Sequence, residues 1–290
     1  MITEEQLEIR KTGIGASESS KVLGISKWGT ALDVYLDKIG ESPEQEFSEA
    51  AHFGNVLEQV VADEYERRTG LKVRKNNKTL RHNDHDFILC HLDRVVTGEK
   101  RIVECKTASA YLVDAWGDEN TDQVPDDYYI QVQHQLSITG YEYADIPVLL
   151  GGNQFRIYAV KRDAEMIDYI VSTLVEFWNN NVLAGVPPEI DYDHKSTEDL
   201  LKKMHPGTNG NDVDITALEQ WHNVRLDALA KVKEYEAVAS GAKNHILAAI
   251  GGNATGIIDG IGSYDRKLVK RKGFSVEPTE YMSMRFKKQK

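Results

Sequence analysis

Ten residues separate Asp93 from Glu104, and Lys106 follows two positions later. The intervening Thr97-Gly98-Glu99-Lys100 reads as a hairpin turn between two extended segments, the second being Ile102-Val103-Glu104-Cys105-Lys106. On a strand, positions i and i+2 share a face, so Glu104 and Lys106 point the same way. Two carboxylates from adjacent strands can then converge on a divalent cation, with an ammonium beside them. Hard cations such as Mg²⁺ choose oxygen ligands of this kind, and the arrangement is the one needed for metal-assisted cleavage of a phosphodiester. A solvated sheet face can carry the same pattern. Against that stand the apolar neighbours Ile102, Val103 and Cys105 and the preceding run Phe87-Ile88-Leu89-Cys90. A charge kept in such surroundings is costly without a partner or a metal.

The elements that must position these residues alternate between helix and strand. Helices are expected at 4–11, 16–24, Ala31 to Lys38, and 48–69 with apolar Phe53, Leu57, Val60 and Val61, ended by Gly70 as a C-cap. Strands follow at 71–74, 78–82, 86–96 and 101–108. A helix at 126–140 precedes a hairpin, 146–150 with 155–160, and a helix from 163 to 184 stops before Pro187-Pro188. We divide the chain into a catalytic core at 1–186, a linker or surface excursion at 187–212, and an extension at 213–290. In the extension Leu218, Trp221, Ala228, Val232, Tyr235, Ala239, Ala242 and Ile246 form mostly one helical stripe, which should pack on the core or another subunit. A hairpin is expected over 255–274, and a basic tail closes the chain.

Four blocks in order resemble the lambda exonuclease and YqaJ-type viral recombinase branch of the PD-(D/E)XK nucleases. They are Arg10-Lys11-Thr12-Gly13-Ile14-Gly15-Ala16-Ser17-Glu18, Gly54-Asn55-Val56-Leu57-Glu58, the Asp93 and Glu104-Cys105-Lys106 core, and the helix Tyr128 to Leu136 with its Tyr-x₂-Gln-x-Gln pattern. Leu92 and Arg94 depart from the Pro and Gly usual around the aspartate. The resemblance implies an α/β (α+β) restriction-endonuclease-like core, a central mixed sheet flanked by helices, here with a helix-plus-hairpin extension. It also implies that Asp93, Glu104 and the backbone carbonyl of Cys105 hold Mg²⁺, with Mn²⁺ able to substitute. Glu58 is implied as a further ligand, directly or through water, and Gln131 as the amide that positions Lys106 or the phosphate. Lys106 would orient the attacking water or help take its proton. Arg10 and Ser17 match positions that recognise a terminal 5′-phosphate, where a guanidinium offers fixed bidentate geometry.

The implied activity is a 5′–3′ exonuclease resecting linear duplex DNA to leave 3′ single strands. The implied setting is phage or prophage recombination in a bacterial cytoplasm, with a trimeric ring and a single-strand annealing partner. A sequence- or structure-specific endonuclease would use the same core, and a non-enzymatic DNA-binding recombination module would lack cleavage.

Composition sets bounds on these readings. The 290 residues suffice for one large domain or one with an appendage. No apolar run approaches a membrane span, and Met1-Ile2-Thr3-Glu4-Glu5 lacks signal-peptide character. Cys90 and Cys105 are the only cysteines, too few for a four-cysteine iron–sulfur cluster and suited to a reducing compartment. The net charge of −11 runs against DNA binding, so distribution matters more than the sum. Arg67, Arg68, Lys72, Arg74, Lys75, Lys78 and Arg81 lie together without an acid among them, and Arg74, Lys75 and Lys78 are the expected DNA contacts. Further basic clusters are Arg266 to Lys272 and the tail Arg285 to Lys290. His82, His85 and His91 fit no zinc spacing and are expected to be solvated or structural.

Overall fold

The computed structural model describes residues 4–43, 48–119 and 121–270. The chain begins with α1 (Glu4–Lys11), the short β1 (Ile14–Gly15), a 3₁₀ turn at Ala16–Glu18, and α2 (Ser19–Val22). α3 (Ala31–Ile39) and the long α4 (Glu49–Thr69) precede β2 (Val73–Arg81), β3 (Ile88–Val96), β4 (Arg101–Val103) and β5 (Lys106–Ala108). Then come α5 (Asp126–Thr139), β6 (Tyr143–Leu150), β7 (Gln154–Lys161), α6 (Ala164–Phe177) and α7 (Thr197–Met204).

β1 to β7 form one mixed sheet. β3 pairs in parallel with β1 and antiparallel with β2 and β4. β4 and β5 lie in succession along the same edge of β6, both parallel to it, while β7 pairs antiparallel with its other edge. α5 is therefore the crossover that parallel pairing of β5 and β6 demands. The β3–β4 hairpin turns where expected, through Gly98 at φ +85°, a conformation that a side chain would strain.

The core lies on both faces of the sheet. Val132 and Leu136 of α5 pack with Ile146, Val148, Tyr158 and Val160, and Ile130 joins Ile170 and Leu174 of α6 in an adjoining cluster. Tyr65 of α4 packs with Val96 and Val103 in a third cluster. The buried positions of α4 are Val61, Ala62 and Tyr65; Phe53 and Val60, expected on its apolar face, are 53% and 52% exposed. The segment 71–82, expected as two strands, is one strand with register shifts beside Asn76.

Gly13 explains part of the opening block. A Cβ there would lie 2.2 Å from the Phe87 carbonyl oxygen, because the chain passes against β3 before Ile14 pairs with Ile88.

Two compact units divide the chain, 1–206 and 207–290. Residues 187–206, assigned above to a linker or surface excursion, carry α7, whose Leu200 is buried with the α6 cluster, and His194, which donates from Nε2 to the Ser26 carbonyl at 2.9 Å. Burial of an apolar face is what turned this polar stretch into part of the first unit. The second unit holds α8 (Glu219–Ile250) and the hairpin β8 (Thr255–Ile258) with β9 (Gly262–Asp265). Within it Gly256 lies against Ile250, where a Cβ would meet the isoleucine side chain at 2.6 Å. The stripe positions Leu218, Trp221, Val232 and Tyr235 are exposed. The end of the expected hairpin and the tail Arg285 to Lys290 lie outside the described residues, as do Arg271 and Lys272. Among the described residues no helix is long and apolar enough to cross a membrane.

Candidate active site

The site forms where β3 and β4 part. Their pairing runs through Arg94 with Val103, which sets Asp93 opposite Glu104. Beyond that point the chain follows β6 instead, Glu104 N–H donating to the Asp145 carbonyl at 2.9 Å. The next amide, Cys105 N–H, donates to Asp93 Oδ2 at 2.9 Å. A backbone donor released from the ladder is thus satisfied by a carboxylate, as a buried N–H requires. β4 and β5 are separate strands for this reason, whereas 101–108 was expected to run unbroken.

Glu104 is 3% exposed and almost fully engaged. Lys106 Nζ donates to its Oε1 at 2.8 Å and Gln131 Nε2 donates to the same oxygen at 2.6 Å. Gln135 Nε2 donates to Oε2 at 2.8 Å. Lys106 also donates to Gln131 Oε1 at 2.9 Å and sits 4.8 Å over the Tyr128 ring. Gln131 therefore closes a triangle with the carboxylate and the ammonium. Gln133, on the far side of α5, instead donates to the Lys161 carbonyl. Gln135 lies one helical turn after Gln131, on the same face of α5. Its Oε1 is buried with no hydrogen-bond partner.

The charges are unbalanced. Burial pushes the Asp93 carboxyl up to about 8, the negative charge of Glu104 adds to this, and Lys106 opposes it. Burial pulls Lys106 down, yet Glu104 and Asp93 outweigh it and hold the ammonium above its ordinary value. Two neighbouring carboxylates in a poorly solvated site are disfavoured without a further cation. Among the described residues no three His, Cys, Asp or Glu side chains form a ready cage for a metal. An ion that keeps several waters and needs only one or two carboxylates, as Mg²⁺ does, fits the oxygen donors that are present. Burial raises both thiols, Cys90 to about 12, so neither is poised as a nucleophile.

A cavity of about 500 Å³ opens over these groups. Asp93, Glu104, Gln131, Glu58, Arg10, Ser17 and Lys75 line it. Arg94, Asn55, Asn76, Asn77 and His91 also line it, and sequence reasoning gave them no part in the site. Arg94 departs from the family pattern and Asn55 lies in the block Gly54 to Glu58, while Asn76 and Asn77 carry no signal in the sequence. Arg10 lies 3.8 Å from Glu18 Oε1. Glu18 is fixed in turn by Lys38, which donates to both its oxygens at 2.8 Å and to the Arg10 carbonyl at 2.9 Å.

Arg74 and Lys78, grouped with Lys75 as DNA contacts, do not line the cavity, whereas Lys75, Asn76 and Asn77 do, where β2 shifts register against β3. Nor is the run 67–81 a single basic surface. Arg67 and Arg68 pair with Glu64, and Lys72 with Glu66, acids that lie just before the run. His82 and His85 stack at 5.4 Å in the β2–β3 turn, and His91 shares a hydrogen bond with Thr79 Oγ1.

Residues 5–142 match the model of the YqaJ-like viral recombinase domain. Over 252 residues the chain is 42% identical to the uncharacterized protein YqaJ of Bacillus subtilis (strain 168), covering 85% of this chain and 77% of that protein. It is 26% identical over 153 residues to an uncharacterized protein of Acanthamoeba polyphaga mimivirus, 49% of this chain and 28% of that one. Among solved structures, an alkaline exonuclease from Laribacter hongkongensis superposes with a TM-score of 0.50 at 18% identity, covering 63% of this chain and 94% of that one. At that identity the likeness speaks for the fold, which is the PD-(D/E)XK arrangement of a mixed sheet flanked by helices. With the Bacillus relative matched over most of both chains, this protein belongs to the YqaJ-like viral recombinase family.

Proposed function

We propose that the protein is a divalent-metal-dependent deoxyribonuclease that resects linear duplex DNA from 5′-phosphorylated ends. The observation that carries this reading is the meeting of Asp93, Glu104 and Lys106 at the foot of a cavity that Arg10 and Ser17 also line. Asp93, Glu104 and the Cys105 carbonyl would hold the cation, Mg²⁺ or Mn²⁺. A cation there supplies Lewis acidity to the scissile phosphate and acidifies a water molecule.

The protein groups perform the remaining tasks. Lys106, held beside Glu104 and Gln131, offsets negative charge at the reacting phosphate and orients the attacking water or helps take its proton. Gln131 fixes the ammonium by accepting one of its hydrogens. Gln135 holds the second oxygen of Glu104, so this carboxylate stays in one orientation. Arg10, backed by the buried Glu18–Lys38 pair, presents a guanidinium to a terminal phosphate, with the Ser17 hydroxyl beside it.

The test is digestion of end-labelled linear duplexes, with and without a 5′-phosphate, in Mg²⁺ and in EDTA. Metal-dependent release from the phosphorylated end is expected. Discrete fragments from circular DNA would point instead to an endonuclease, and cutting in excess EDTA would overturn the reading. A ring of copies and transfer of the 3′ strand to an annealing protein extend the same reading. A light-scattering mass near the 32.7 kDa monomer would exclude the ring.

A further inference from the structure

Three carboxylates line the cavity among the described residues, Glu58, Asp93 and Glu104, and two of them already face a fixed cation. Lys106 serves Glu104 at 2.8 Å. Glu58 is served by Arg94, whose Nη1 donates to Glu58 Oε1 and, at 2.7 Å, to the Asp93 carbonyl. Arg94 Nη2 donates to Gln59 Oε1 at 3.0 Å, so both ends of the guanidinium are tied to α4. The arginine is only 3% exposed, while Glu58 keeps 29% of its side chain accessible. A guanidinium does not lose its proton in a protein, so the positive charge beside Glu58 is permanent.

We propose that Arg94 stands where a second metal ion would otherwise be drawn, engaging Glu58 and leaving a one-metal site on Asp93 and Glu104. The inference rests on the reading of Asp93 and Glu104 as metal holders and specifies how many ions they take. A second dication entering beside Glu58 would meet the guanidinium at short range in a poorly solvated cavity. It would also have to break a buried, hydrogen-bonded ion pair, and losing one partner of such a pair is strongly unfavourable. Glu58 therefore acts as the anchor of Arg94 rather than as a ligand. Arg94 in turn supplies fixed positive charge at the cavity wall, its fork already taken by Glu58, Gln59 and the Asp93 carbonyl.

The experiment is Mn²⁺ binding without DNA, read by calorimetry and by the paramagnetic signal of free Mn²⁺. The wild type should bind one Mn²⁺ per chain, and Asp93→Asn should bind none. Glu58→Gln, which is 29% exposed and keeps an oxygen able to accept from Arg94, should keep one Mn²⁺ with affinity within about twofold of wild type. Arg94→Gln should gain a second Mn²⁺, and Arg94→Gln combined with Glu58→Gln should lose it again. Two ions in the wild type, or tenfold weaker binding in Glu58→Gln, would overturn the one-metal assignment while leaving the nuclease reading intact. No binding by the wild type at all would overturn both. Should Arg94→Gln fail to fold, the Glu58→Gln result decides alone.

Discussion

Neutralising Asp93 should stabilise the metal-free protein, and the effect should depend on pH in a defined direction. The folded carboxyl is pushed up to about 8 from an ordinary value of 3.8. In the unfolded chain the group ionises near its ordinary value, while in the folded chain it resists ionisation until much higher pH. Stability is therefore lost progressively as pH rises from about 4 to about 8, and no further loss from this group occurs above that. At ~1.4 kcal/mol per pKa unit the ceiling is ~6 kcal/mol. Glu104 shares the repulsion and the cavity admits water, so about 2–4 kcal/mol is the working magnitude at pH 8.

Asp93→Asn keeps an acceptor for the Cys105 N–H and removes the charge. For a unit of this size that gain corresponds to a melting temperature higher by roughly 5–15 °C. Thermal unfolding in EDTA at pH 5 and pH 8, followed by circular dichroism, measures it. At the lower pH the difference should shrink to roughly a third. Adding Mg²⁺ at about a hundred times its dissociation constant should raise the wild type by about 2.7 kcal/mol and leave Asp93→Asn unmoved. Coincident melting curves at pH 8, or a variant less stable than wild type there, would refute the charge argument.

Three further outcomes are expected. Glu104→Gln and Lys106→Met should each lower DNA digestion by about 10²-fold or more, the scale for losing one preorganised electrostatic group, while gel-shift binding to duplex DNA persists. Activity near wild type in either would remove the assigned site. Arg10→Ala should lose about 10- to 100-fold of the preference for 5′-phosphorylated ends, as expected for one charge-assisted hydrogen-bonding group, with cutting of unphosphorylated ends little changed. Equal loss on both substrates in competition assays would make Arg10 structural. Gly13→Ala forces a Cβ onto the Phe87 carbonyl and should cost about 1–3 kcal/mol, seen as a lower urea midpoint at unchanged m-value.

Much of the local structure follows from the amino-acid sequence alone. The hairpin around Gly98, the helix stops at Gly70 and Gly140, and the β6–β7 hairpin are set by residues close together in the chain. Turn and cap chemistry acts over a few residues, and strand alternation is equally local. The pairing of Glu104 with Lys106 belongs to the same class, since i and i+2 on an extended segment share a face. The order of the four blocks carried the family assignment without any coordinates.

Other features depended on which elements pack together. Of the apolar face expected for α4, Val61 is buried, but its orientation against β3 and β4 leaves Phe53 and Val60 exposed and buries Tyr65. Lys75, Asn76 and Asn77 line the cavity while Arg74 and Lys78 do not, which depends on the irregular pairing of β2 with β3 around Asn76. The basic run 67–81 loses its unity because Glu64 and Glu66, just before it, pair with three of its seven cations, Arg67, Arg68 and Lys72. Most consequential is Arg94. As a letter it was only a missing glycine; folded, it is a buried cation held by a helix 35 residues earlier in the chain, at Gln59. A charge that is inert in water becomes decisive in a cavity, because there its field is screened by little else and only the fold determines which carboxylate it faces.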